Sequence, residues 1–162
     1  MLVVEQLKPK RHNRDGFKCG EPTLDAYLRQ QAAQHHRDGI STTHVLVDDA
    51  DPTRILGYYS LYAAQLLLTD LQEVDRKRLP TYPVPAIRMG RLAVSASEQG
   101  KGHGNYLLAH AVARSLGLRE QLGVRMLLVD ALHEDAARFY RAYGFREATA
   151  NSHTLYLPLG NA

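Results

Sequence analysis

The stretch SASEQGKGHGNYLLAHAVARSLG, residues 95–117, decides the fold. Glycines stand at alternate positions, Gly100, Gly102 and Gly104, and an amphipathic run follows at once. Glycine reaches backbone conformations closed to other residues and lets a ligand or another segment approach the main chain. Either a phosphate-bearing ligand is cradled here, or this is a tight strand-to-helix turn with no ligand. A helix N-terminus offers unpaired N–H groups and roughly half a positive charge, which suits an anion. Lys101 and His103 can add donors beside it. The stretch lacks the Gly-Lys-Ser/Thr of a P-loop and the third glycine of the dinucleotide-binding turn. What remains is Gln99-x-x-Gly102-x-Gly104 between a strand and a helix.

Working outward, IRMGRLAVS (87–95) reads as the strand before the turn, and a helix runs from about Gly104 to Gly117. VRMLLVDA (124–131) is almost continuously apolar, as expected of a strand covered on both faces. Glu134 to Tyr143 is a helix with Ala136, Phe139, Tyr140 and Tyr143 on one stripe, stopped by Gly144. Phe145 to Ala148 and His153 to Leu159 read as closing strands. Upstream, Leu2 to Leu7 reads as a strand and Pro22 to Asp38 as one helix, with Leu24, Tyr27, Leu28 and Gln31 on its repeat. THVLVDD (43–49) and ILGYYSLYAAQLLL (55–68) form a hairpin around DADPTR. Residues 70–79 hold a short helix, and TYPVPA (81–86) is an extended, proline-held entry to the next strand. The order predicts an α/β (α+β) fold: a mixed central sheet of six to seven strands flanked by about four helices.

With 162 residues and no linker or repeat, residues 1–162 are expected to form a single domain. The one cysteine, Cys19, excludes an internal disulfide framework and reads as a small core residue. No segment approaches the ~20 apolar residues of a membrane span. The N-terminus has its charges after a very short apolar stretch, the wrong order for a secretory signal, so a cytoplasmic location is expected. Net charge is +3 and the pI about 9.1, which favours an anionic partner without naming one. No Cys/His/Asp cluster has metal-ligand spacing, so no metal is expected.

Strand–QxxGxG–helix, then a strand, then a helix carrying Ala136-ARF-Tyr140-RAY-Gly144-Phe145, resembles the GCN5-related N-acetyltransferases (the GNAT fold). FKCGEPTLDAYL (17–28), STTHVLV (41–47), ILGYYSL (55–61), VPAIRMGRLAVSASEQGKGHG (84–104), VDALHEDAARFYRAYGF (129–145) and LYLPL (155–159) look like one branch, the GNAT toxins of bacterial toxin–antitoxin operons. Many GNAT enzymes carry an asparagine three residues before the alanine of the last helix. His133 stands there instead, a departure shared by the toxin branch in lacking that asparagine.

The resemblance implies acetyl-CoA as co-substrate and the α-amino group of aminoacyl-tRNA as acceptor. It further implies a homodimer, a ribbon-helix-helix antitoxin, and operator DNA contacted through the antitoxin complex only. By position, the main chain of Leu92, Ala93 and Val94 would pair with the pantetheine arm, as an amide-bearing arm can imitate a strand. Gln99, Gly100, Lys101, Gly102, His103 and Gly104 would hold the diphosphate. Tyr140 would be the general acid, since a phenol near pKa 10 keeps its proton at neutral pH and suits a sulfur leaving group. The plain alternative is that Tyr140 only packs its helix, while Tyr143 reads as core. His103 is a possible phosphate contact, His110 reads as helix surface and His44 as a strand residue. No carboxylate lies between Thr81 and Ser97 to act as a base. An α-amino group titrating near ~7.7–8.0 needs little help from one. The basic residues, Arg88 and Arg91 on the central strand among them, read singly as solvated surface. Rival readings are an acetyltransferase for a small amine or a protein N-terminus, and a non-enzymatic coenzyme-binding module.

Overall fold

Among the described residues seven strands and five α-helices follow one another in the order β1-α1-α2-β2-β3-α3-β4-α4-β5-α5-β6-β7. The structure is a computed structural model that describes residues 1–81 and 83–160. Tyr82, inside the expected TYPVPA entry, lies outside the described residues. The strands are hydrogen-bonded in the order β1-β2-β3-β4-β5-β7-β6 in a mixed sheet. The chain divides into two compact units: Met1–Tyr62 with Gly90–Ala111, and Ala63–Met89 with Val112–Ala162.

In the first unit, β1 (Leu2–Gln6), β2 (Thr42–Asp48) and β3 (Gly57–Leu66, as far as Tyr62) pair antiparallel. The expected hairpin is present, its turn closed by the Asp51 N–H donating to the Asp48 carbonyl at 2.8 Å. Residues 43–47 of β2 are all buried, Thr43 and His44 with the apolar Val45, Leu46 and Val47, as in a strand covered on both faces. The expected helix 22–38 is two: α1 (Pro22–Gln30), with proline in its first turn, and α2 (Ala32–Arg37). Gln31 stands between them at φ −125°, outside the helical well. Leu28 and Ala32, not Gln31, continue the buried row at i, i+4. Their core partners are Phe17, Tyr27, Val45, Val47, Tyr58 and Ala93.

In the second unit, β4 (Val84–Val94) begins alongside β5 (Met126–Asp130), the two parallel from Ala86↔Met126 to Met89↔Val129. β7 (Asn151–Pro158) pairs antiparallel with β5, and β6 (Arg146–Ala148) with β7. β4 starts earlier than the proline pattern predicts. Pro85 is exposed at the second position of the strand, and its carbonyl accepts from the Arg125 N–H at 2.8 Å, so the proline still contributes its acceptor. Met126, Leu128 and Tyr156 form the core with Leu66, Leu71, Val84 and Ala86. α3 (Glu73–Arg76) supplies Asp75, whose carboxylate accepts from Arg146 at 2.8 Å and from the Tyr156 hydroxyl at 2.5 Å. α5 (Glu134–Tyr143) has the expected bounds and ends at Gly144, whose φ of +122° favours glycine. α4 (His103–Leu118) runs from the first unit into the second.

Candidate active site

Every residue expected to hold the coenzyme lies in the first unit. Among the described residues, the parallel register with β5 ends at Met89, and β4 runs on through Gly90–Val94. Ala93 is buried, while Leu92 and Val94 are partly open. After Val94 the Ser95 N–H donates to the Leu56 carbonyl at 2.8 Å, and a 3-10 turn, Ala96–Glu98, leads into the glycines.

Gly100 and Gly102 have φ of +82° and +83°, and no atom stands within 4 Å of where a Cβ would be. Positive φ, not crowding, calls for glycine at both. The loop is open to solvent and ends where the unpaired N–H groups of a sixteen-residue helix begin, a fit to a diphosphate. Gly104 is already inside α4, one residue past the helix start, and does not belong to the turn.

The side chains here behave differently from the simplest expectation. Gln99 turns back, its Nε2 donating to the carbonyls of Cys19 at 2.9 Å and Val94 at 3.1 Å, so it ties the loop to β4. Lys101 and His103 both meet Glu98, at 3.3 Å, and Arg54 reaches the same carboxylate at 3.3 Å. His103 and then Lys101 hold the Glu98 carboxyl below the usual carboxylate range. Nothing in the glycine motif pointed to Glu98; its spacing of five residues before His103 is the only sequence signal. Cys19 is core, as expected: its thiol is pushed up to about 12 by burial and then by the Asp25 carboxylate.

Tyr140 lies in the second unit, on α5. It is 7% exposed, between Phe139 and Phe145 at ring-centroid distances of 5.2 and 5.5 Å. Burial, and next the Asp130 carboxylate, push the phenol above its ordinary value, so it stays protonated at every physiological pH. Asp130 itself is held by Arg88 and by the Thr154 hydroxyl at 3.1 Å. His133 is the N-cap of α5, its Nδ1 accepting from the Ala136 N–H at 3.2 Å. Imidazole here does what an asparagine side chain does at a helix start.

Two readings are corrected. Tyr143 is 37% exposed, because buried Ala137 and Tyr140 set the inward stripe of α5 and Tyr143 falls at its edge. His110 is partly buried, and the Tyr59 hydroxyl lies 2.8 Å from its Nδ1. His44 lies in β2 as expected, stacked on Tyr59 at 5.0 Å. Among the described residues no helix is long and apolar enough to cross a membrane.

The strand–glycine turn–helix and the tyrosine-bearing last helix together define an acyl-CoA-binding acetyltransferase fold. Residues 40–147 match the acetyltransferase (GNAT) domain family, and the chain belongs to that family. It is 39% identical over 129 residues to the tRNA-acetylating toxin of Mycobacterium tuberculosis (strain ATCC 25618 / H37Rv), covering 80% of this chain and 75% of the relative. It superposes on AtaT complexed with acetyl-methionyl-tRNAfMet with a TM-score of 0.91, at 30% identity over 98% of this chain and 95% of that one. A tyrosine-to-phenylalanine mutant of AtaT, bound to acetyl-CoA and the C-terminus of the antitoxin AtaR, matches with a TM-score of 0.82, at 28% identity over 98% and 93% of the two chains. The expected family, mixed fold and acetyl-CoA-dependent acyltransferase class are therefore borne out.

Proposed function

We propose that this enzyme transfers the acetyl group of acetyl-CoA to the α-amino group of aminoacyl-tRNA, and so blocks translation as the toxin of a toxin–antitoxin pair. The likeness to a tRNA-acetylating toxin and to AtaT with its acetylated tRNA, across nearly the whole chain, carries the reading. The thioester supplies an activated acyl group; the protein supplies position and a proton. The main chain of Leu92, Ala93 and Val94 receives the pantetheine arm, and the Gln99–Gly102 loop, with His103 and Gly104 at the start of α4, holds the diphosphate. Gly100 and Gly102 expose its N–H groups. Gln99 braces it from behind, while Lys101 and Arg54 offset the Glu98 charge beside an incoming anion and His103 hydrogen-bonds the same carboxylate.

The acceptor nitrogen forms its bond to the acyl carbon as the carbon–sulfur bond breaks. Tyr140 gives its phenolic proton to the departing sulfur, and the proton shed by the nitrogen returns to the phenol through solvent. A buried phenol with a raised pKa serves as acid and not as base, because its proton is present whenever the thiolate forms. No carboxylate base is needed for an amine already largely neutral near pH 8. Holding amine and thioester together supplies much of the acceleration.

Residues 1–162 work as one catalytic domain, as a homodimer in the cytoplasm. A ribbon-helix-helix antitoxin neutralises it, and operator DNA is reached through that complex. Incubation with labelled acetyl-CoA and total charged tRNA tests the reading. The label is expected on the amino acid of one or a few charged species. Unmodified charged tRNA beside labelled small amines or protein N-termini would transfer the enzyme to the rival class.

A further inference from the structure

Most arginines whose side chains meet a partner in this protein meet a carboxylate: Arg54 meets Glu98, Arg88 meets Asp130, Arg141 meets Glu134 and Arg146 meets Asp75. Arg91 is different. It is partly buried on β4, and its guanidinium carbon lies 3.4 Å from the centroid of the Tyr27 ring. Among the described residues no carboxylate stands within ion-pair distance of it, and none accepts a hydrogen bond from it. Five N–H donors of a permanently charged fork are therefore uncommitted at a partly desolvated position.

The platform beneath Arg91 is rigid. Tyr27 is 3% exposed, and its hydroxyl lies 2.6 Å from the Ser41 Oγ and 2.9 Å from the His35 Nδ1. The side chain cannot leave its place without breaking both. A guanidinium stacked on an aromatic face keeps its in-plane donors available for a bidentate acceptor. Ala93, on the same face of β4 two residues on, is buried in the Tyr27 core. Three residues of strand, about 10 Å, separate Arg91 from Val94. That is of the order of the distance from the amine of an aminoacyl nucleoside to its 5′-phosphate.

We propose that Arg91, held over the face of the Tyr27 ring, binds the 5′-phosphate of the terminal nucleotide of the acceptor, and so makes the enzyme select an aminoacylated nucleotide over a free amine. This rests on the acetyl-transfer reading above. An acidic peptide would also attract a guanidinium. The position of Arg91 on the strand proposed to receive the acyl donor favours an anion attached to the acceptor itself.

The test uses a stable 3′-aminoacylamino-adenosine, with and without a 5′-phosphate, as acceptors for the full-length enzyme. Wild type should acetylate the phosphorylated form about 10- to 100-fold more efficiently in kcat/KM, the worth of a charge-assisted bidentate contact. In Arg91→Gln that preference should shrink to near parity, and Arg91→Lys should restore only part of it. Tyr27→Leu, which removes the platform and keeps the cation, should also lower the preference, with acetyl-CoA affinity measured by calorimetry as the check on folding. An equal preference in wild type and Arg91→Gln overturns the proposal. So does a loss confined to acetyl-CoA affinity, which would assign Arg91 to a coenzyme phosphate, or one confined to antitoxin binding. Wild-type enzyme that acetylates neither compound, nor charged tRNA, overturns the functional reading itself.

Discussion

Gly57→Ala is a test of how tightly β4, the strand proposed to receive the coenzyme, is packed. A Cβ at residue 57 would lie 2.7 Å from the Ala93 carbonyl oxygen and 2.8 Å from the Leu107 Cδ1. Leu107 is fully buried but ends in a methyl that can rotate; the Ala93 carbonyl is backbone of β4 and cannot yield without moving the strand. Overpacking of this kind costs about 1–3 kcal/mol. Replacing glycine returns about 0.4–1 kcal/mol by narrowing the unfolded ensemble. A net loss of about 1–2 kcal/mol corresponds to a Tm lower by roughly 2–8 °C for a chain of this size. Because Ala93 is among the residues proposed to pair with the pantetheine arm, acetyl-CoA should also bind more weakly. Disturbing one main-chain hydrogen bond, worth about 0.5–1.5 kcal/mol, gives up to roughly a tenfold loss. Differential scanning calorimetry and titration calorimetry read the two effects. An unchanged or raised Tm with unaltered affinity would refute the packing argument.

Tyr140→Phe should lower kcat by about 10²- to 10³-fold while acetyl-CoA affinity holds, measured by steady-state kinetics and calorimetry; a fall in affinity alone would make Tyr140 a packing residue. Gly102→Ala places a side chain at φ +83° in open space, so it should cost about 1–2 kcal/mol in thermal unfolding without any steric clash. Glu98 has a lowered folded pKa, so its stabilisation is present above the ordinary carboxylate value of about 4.3 and is lost as the pH falls through the folded value. The Tm gap between wild type and Glu98→Gln should therefore be flat above about pH 5 and close below about pH 4.3. Cys19, with its thiol pushed up to about 12, should resist iodoacetamide at neutral pH until the chain unfolds, as followed by intact mass.

How far the sequence could be read depends on the scale of the signal. Strands and helices that bury a full stripe, such as β5 and α5, announce themselves through local periodicity, and their bounds are close to those expected. The break at Gln31 does not, because Leu24, Leu28 and Ala32 keep one buried row through it and only the backbone angle changes. The start of β4 differs from the expected one for the opposite reason: Pro85 is a strand breaker by type, yet here it sits one residue into the strand with its carbonyl still bonded. At the loop, the glycines were legible because their conformation is a property of each residue alone. The partners of Lys101 and His103 were not, since a carboxylate five residues upstream is one of many charges a chain can bring close.

The same distinction explains why Arg88 and Arg91, three residues apart on one strand, look alike in sequence and differ in the fold. Arg88 meets Asp130, and a guanidinium so compensated has little attraction left for a ligand. Among the described residues Arg91 meets only the face of Tyr27, which stabilises a cation by roughly 0.5–2 kcal/mol and leaves its charge unneutralised. Arg91→Gln should therefore be tolerated by the fold far better than Arg88→Gln, which would strand the Asp130 carboxylate next to Tyr140. That stranded charge would raise the phenol further and slow proton delivery, so Arg88→Gln should depress kcat with either acceptor, whereas Arg91→Gln should act only where a phosphate is present. If the two variants gave the same profile on phosphorylated and unphosphorylated acceptors, this division of labour along β4 would be wrong.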